Sequence, residues 1–200
     1  MASVQYHLAP DFPYPVPLDD VTDALNWLSA HLDEFGATQI AIGGDSAGGN
    51  LAAAACIRAV RGDGPKLQSQ ILIYPALDGT ASSPSTRDRA SGLSFADLTA
   101  SFDNYRGEQD AAHPEVSPFL AVDKAGLPYT LVITADHDIL RDEGRLYAEA
   151  LQSAGVEARH IEYPGVDHGF LSVPAMAKEA TLSALDEVLR TLDVPDQVRR

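Results

Sequence analysis

Gln39-Ile40-Ala41-Ile42-Gly43-Gly44-Asp45-Ser46-Ala47-Gly48-Gly49-Asn50 joins a β-type run to the Ala-rich helical run Leu51-Ala52-Ala53-Ala54-Ala55-Cys56-Ile57. A G-x-S-x-G element therefore sits at a strand-to-helix turn. Three fixed residues are a common combination; the strand before them and the helix after them carry the weight. At such a turn the serine backbone is strained, and the residues two positions either side must be small because strand and helix nearly collide. Gly44 and Gly48 meet that need. Ser46 is then expected at the C-terminal end of a central strand, with the Ala47 amide and a helix N-terminus beside it. A phosphate-binding loop is the rival reading, but no Lys-Ser/Thr follows the glycines and the G-x-G-x-x-G spacing is absent.

Outward from this turn, short β runs alternate with longer helical patterns, which favours a mostly parallel sheet covered by helices. Ala2 to Leu8 reads as a strand ending in the prolines Pro10, Pro13, Pro15 and Pro17. A helix follows with apolar residues Leu18, Val21, Leu25, Leu28, Leu32 and Phe35 at steps of three and four, stopped by Gly36. After the strand at 38–43 and the turn, a helix runs to about Arg61, and the breakers Gly62-Asp63-Gly64-Pro65 precede a strand at Gln70–Tyr74. Residues 78–118 break the rhythm and read as an insertion, a lid over the site, with a packing stripe at Phe95, Leu98, Phe102 and Tyr105. A strand (Tyr129–Thr134), a helix (Asp142–Ala154), a strand (Ala158–Tyr163) and a helix (Ala175–Leu192) complete the chain as one domain.

A serine hydroxyl becomes a nucleophile only when a base takes its proton and a carboxylate holds that base. Both partners are available at strand ends. Asp136, Asp138 and Asp142 follow the strand ending at Thr134, and His168 lies in the glycine-flanked loop after the strand ending at Tyr163. The other histidines, His7, His31, His113, His137 and His160, read as surface or structural residues.

Composition narrows the classes. Two hundred residues, 45% hydrophobic, can bury a core without disulfide or metal support. The net charge of −15 disfavours nucleic acid and anionic membranes as partners, and no apolar run reaches the length of a membrane span. A soluble, cytoplasmic chain is the expectation, with its one cysteine, Cys56, buried and inert.

Four blocks make the chain similar to the hormone-sensitive-lipase-like carboxylesterases of the α/β-hydrolase fold. Tyr6-His7-Leu8-Ala9-Pro10-Asp11 resembles Y-R-L-A-P-E, Gly44 to Gly49 matches G-D-S-A-G-G, Asp138 to Gly144 resembles D-P-L-R-D-E-G, and His168-Gly169-Phe170 matches H-G-F. The order Ser, Asp, His is the one this fold uses. The resemblance implies Ser46 as nucleophile, Asp138 as orienting acid, His168 as base and the Ala47 amide as an oxyanion donor. It also implies short-chain acyl esters as substrates and neither metal nor organic cofactor. His7 for Arg and Ile139 for Pro depart from the pattern.

The family's H-G-G-G motif, which supplies further oxyanion-hole amides, is absent from these residues. The resemblance implies a chain that starts at the family's fourth strand, leaving the elbow strand without its usual neighbour. The expectations are that residues 2–8 move into the vacant place, that turnover is weakened, and that an exposed sheet edge invites homo-oligomers. The alternatives are an impaired fragment acting as a binding or assembly subunit, or another activity of the fold such as peptide or lactone hydrolysis.

Overall fold

The computed structural model describes residues 1–88, 92–173 and 177–193. Its centre is a four-stranded, all-parallel sheet in sequence order: β1 (Ala41–Asp45), β2 (Ser69–Ile73), β3 (Tyr129–His137) and β4 (Ala158–Asp167). Ala41 faces Ser69, Ser69 faces Tyr129, and Thr130 faces Ala158, so the carboxyl ends of all four strands open toward one rim. Parallel strands need crossovers, and the helical segments of the sequence supply them.

Side-chain alternation sorts the strand residues between two cores. Leu72 and Val132 point to a face covered by α2 (Ala47–Arg58) and α4 (Arg141–Ser153), with α1 (Val16–Ala30) packed outside α2. Ala52, Ala53, Ala54 and Ala55 are buried there, and their small size lets α2 lie close on β1 and β2. Ile71, Leu131 and Ile133 point to the other face, which α5 (Lys178–Asp193) covers through Ala180, Ala184 and Val188. A third cluster, at the carboxyl rim, joins Leu98 and Phe102 of α3 (Phe95–Arg106) to Ala76, Val116, Ile139 and Leu140.

Several expected boundaries shift. The elbow strand runs 41–45 rather than 38–43, because its ladder with β2 carries through Gly43 and Gly44 despite their weak strand preference. β3 and β4 extend past Thr134 and Tyr163: after an irregularity at Ala135–His137 the pairing resumes as His137 opposite Asp167. The first helix ends at Ala30, and Leu32–Phe35 form a separate 3₁₀ turn closed by left-handed Gly36. The last helix is described from Lys178, and the expected start at Ala175 lies outside the described residues. Its stripe Leu182, Leu185, Leu189 and Leu192 faces outward, 43–58% exposed.

Residues 2–8 form no strand and do not fill the place beside the elbow strand. The Asp20 carboxylate on α1 takes the main-chain N–H of His7 at 2.8 Å, a donor that a ladder would need, and the ring Nδ1 lies 2.9 Å from the same oxygen. Among the described residues β1 pairs on one side only, with β2.

Candidate active site

Ser46 stands between β1 and α2 with φ 51° and ψ −115°, a left-handed conformation that costs an L-residue energy and is held by its surroundings. The Ser46 N–H donates to the Ile73 carbonyl at 2.9 Å, and the Ala76 N–H donates to the Ser46 carbonyl at 3.2 Å. The expected crowding is real, but its members differ. A Cβ on Gly44 would lie 2.3 Å from the Gly48 carbonyl, and one on Gly49 would lie 2.8 Å from Pro75 Cβ. A Cβ on Gly48 would meet nothing within 4 Å. Gly44 and Gly49 are therefore the sterically required pair, because Gly48 contributes only backbone to the collision and its missing side chain points away.

Ser46 occupies the N-cap of α2, where a serine oxygen ordinarily accepts from the helix. Here it makes no such bond; its Oγ lies 3.0 Å from His168 Nε2. His168 follows β4, and its Nδ1 lies 2.7 Å from Asp138 Oδ2, just past the end of β3. Asp138 is buried, and its other oxygen accepts the Leu140 N–H at 2.9 Å. Serine, histidine and aspartate, 122 and 30 residues apart in the two contacts, thus form one line across the sheet rim. The rival carboxylates go elsewhere: Asp136 accepts from the Gly165 N–H, and Asp142 from the Ser85 N–H.

The remaining histidines lie apart from this line. His7 binds Asp20, and His31 Nδ1 lies 2.7 Å from the Trp27 carbonyl. His113 packs against Tyr14, His137 lies between Asp136 and Asp167, and His160 Nε2 lies 2.8 Å from Thr134 Oγ1. Burial pushes the His160 imidazole below its ordinary value, helped by the nearby Arg145 cation.

Three supporting residues escaped the sequence reading. The Tyr74 ring meets His168 edge-on at 4.9 Å and Phe170 at 5.6 Å, walling the imidazole; burial pushes its phenol up to about 12. Asn50, one turn into α2, donates from Nδ2 to the carbonyls of Ala76 and Val116 at 2.7 and 2.8 Å, tying the elbow helix to both flanking loops. Glu143 is fully buried beneath the Asp138 turn. Only a buried polar residue next to a motif hints at such roles in sequence, and the hydrogen-bond partners of Asn50 and Glu143 lie 26 to 66 residues away.

A cavity of about 320 Å³ opens beside Ser46 and Ala47. Tyr6, Leu8, Leu51 and Ala76 line it, together with Leu98 and Phe102 of α3. A Cβ on Gly92 would touch the His168 carbonyl at 3.1 Å, so the segment before α3 lies over the histidine loop. Ala47 is the first residue of α2, where main-chain N–H groups have no partner inside the helix. Among the described residues no group of three or more His, Cys, Asp or Glu is placed to hold a metal ion, and no helix is long and apolar enough to cross a membrane.

The family described as alpha/beta hydrolase fold matches residues 1–172. The carboxylesterase NlhH of Mycobacterium tuberculosis is 37% identical over 204 residues, covering 96% of this chain and 64% of that protein. The carboxylic ester hydrolase LipN of the same organism is 40% identical over 183 residues, covering 86% and 48%. The solved structure of a hyperthermophilic esterase from the archaeon Pyrobaculum calidifontis superposes with a TM-score of 0.86 at 37% identity, covering 93% of this chain and 63% of that one. The chain thus spans about half to two thirds of the length of these relatives.

Proposed function

The chain belongs to the α/β-hydrolase-fold family, and on that premise we propose that it hydrolyses carboxylic esters of short acyl chains, with Ser46 as nucleophile, His168 as base and Asp138 as orienting acid. The observation that carries the reading is the unbroken relay of 3.0 and 2.7 Å from Ser46 through His168 to Asp138, beside a largely apolar cavity. The relatives named above as carboxylesterases support the substrate class.

In this mechanism the His168 Nδ1–H donates to Asp138, which leaves Nε2 free to accept a proton. Ser46 Oγ attacks the ester carbonyl carbon while its proton passes to Nε2, and Asp138 stabilises the imidazolium. The tetrahedral oxyanion lies against the Ala47 amide, the donor the elbow itself supplies. Collapse breaks the C–O bond to the alcohol, which leaves with the proton from Nε2. Water then repeats the sequence on the acyl-enzyme and releases the acid. No step draws on a cofactor.

The cavity volume suits a short acyl chain, and residues 78–118 act as the lid, with Leu98 and Phe102 forming its inner wall. An oxyanion hole short of one donor is about 10²–10³-fold slower. Residues 1–200 tested alone are accordingly expected to turn over slowly. Self-association belongs to the same reading: among the described residues β1 pairs on one side only, which leaves a sheet edge open to a second copy, and the outward leucines of α5 add an apolar stripe.

The test uses p-nitrophenyl acetate to octanoate and a fluorophosphonate label. Activity on the shorter esters and labelling of the parent, both lost in Ser46→Ala, are expected. Equal rates for parent and Ser46→Ala would refute the assignment.

A further inference from the structure

Three carboxyl groups share one buried patch behind the relay: Asp78 after β2, Asp138 after β3 and Glu143 in the first turn of α4, all 2% exposed or less. Their partners differ. Asp78 accepts from both the N–H and the hydroxyl of Thr80 and of Ser82, four donors in all. Asp138 has the His168 ring and the Leu140 N–H. Glu143 Oε1 accepts the Leu77 N–H at 2.5 Å, with the Asp78 N–H also directed at the carboxyl, while Oε2 is buried and has no hydrogen-bond partner among the described residues.

The contact bridges two pieces of the site. The segment that Glu143 grips is the one whose Ala76 N–H holds the strained Ser46 carbonyl and whose Ala76 carbonyl receives Asn50. On the other side, Glu143 belongs to the turn in which the Leu140 and Arg141 amides fasten Asp138. Hydrogen bonds, joined by the short chain segments Ala76–Leu77 and Leu140–Glu143, therefore link the backbone behind the nucleophile to the acid through Glu143.

We propose that Glu143 is a positioning residue for the Ser46–His168–Asp138 relay, a neutral carboxylic acid that clamps the segment behind Ser46 to the turn carrying Asp138. This rests on the esterase reading of that relay. Neutrality follows from the surroundings: the charged groups facing Glu143 are the Asp78 and Asp138 carboxylates, and an ionised carboxylate buried without a cation is strongly disfavoured. Of the three groups, Glu143 alone has a carboxyl oxygen with no hydrogen-bond partner among the described residues, so it carries the proton. Burial correspondingly pushes its carboxyl well above the ordinary value.

Glu143→Gln keeps the accepting oxygen and the absence of charge; Glu143→Ala keeps neither the oxygen nor the clamp. With p-nitrophenyl butyrate, Gln is expected within about threefold of parent kcat, whereas Ala loses about tenfold or more in kcat with little change in KM. Infrared spectra of the parent at neutral pH should show a protonated carboxylic C=O band that Glu143→Gln lacks. A Gln variant as impaired as Ala, or parent spectra with only ionised carboxylates, would overturn the proposal. A parent that hydrolyses no ester sinks the esterase reading instead, and the infrared result still decides the state of Glu143.

Discussion

Replacing Gly44 by alanine tests the elbow at its tightest point. The added Cβ would stand 2.3 Å from both the carbon and the oxygen of the Gly48 carbonyl and 2.9 Å from the Gly49 nitrogen. Those atoms are backbone and cannot rotate away. Restoring even a 3.0 Å approach requires β1 and α2 to separate by about 0.7 Å at the turn that carries Ser46. A shift of that order stretches the 3.0 Å contact between Ser46 Oγ and His168 Nε2 beyond hydrogen-bond range. Misplacement of this size costs on the order of 10² in turnover, and overpacking costs about 1–3 kcal/mol of stability. Gly48→Ala is the control: its Cβ meets nothing within 4 Å, and alanine in a helix is favoured over glycine by up to about 1 kcal/mol. The assay is the initial rate with p-nitrophenyl butyrate alongside urea unfolding of both variants. Parent-like turnover in Gly44→Ala, or an equal loss in Gly48→Ala, would refute the reasoning.

Urea unfolding between pH 4.5 and 8 should show Glu143→Gln gaining stability relative to the parent as pH rises. A carboxyl whose folded value lies above its unfolded one contributes fully below the unfolded value, near 4.5, and progressively loses that contribution up to the folded one; a pH-independent difference would exclude this. Arg58, only 14% exposed at its side chain, donates to Glu115 at 2.9 Å and to Asp19 at 2.5 Å, so Arg58→Met should cost about 3–5 kcal/mol by stranding the largely buried Glu115. That pairing holds the Glu115 carboxyl below its ordinary value despite opposing burial, so its stabilisation is present above pH 4.5 and fades as pH falls, as acid titration of unfolding will show. Phe102→Ala opens the α3 wall of the cavity and should move the acyl preference toward longer p-nitrophenyl esters while lowering stability by about 3–5 kcal/mol. Leu185→Glu with Leu189→Glu places charge on the outward stripe of α5; sedimentation should show any self-association abolished with the monomer intact.

The strand-turn-helix around Ser46 was legible because its requirements are local: a strained serine, a nearby residue without a side chain, and small residues where the helix lies on the sheet. The His168 and Asp138 blocks were legible because they follow β runs whose carboxyl ends share a rim in a parallel sheet. Residues 2–8 misled because an alternating run reads as a strand whether or not a neighbour exists, and the Asp20 carboxylate took its His7 amide instead. The leucines of α5 do share one face, as their spacing indicates, but spacing does not say which way that face points.

The amino-acid sequence by itself determined the alternation of strands and helices, the serine turn, and the places of the Asp138 and His168 blocks after their strands. These depend on short-range periodicity and on residue types needed within a few positions. Only the tertiary structure decided that Gly49 rather than Gly48 shares the crowding with Gly44, that Asp136 and Asp142 turn away from His168, and that Asn50, Tyr74 and Glu143 brace the relay. Those outcomes depend on which backbone groups lie within about 3 Å of a side chain, a distance that packing of segments remote in the chain sets and local pattern does not encode.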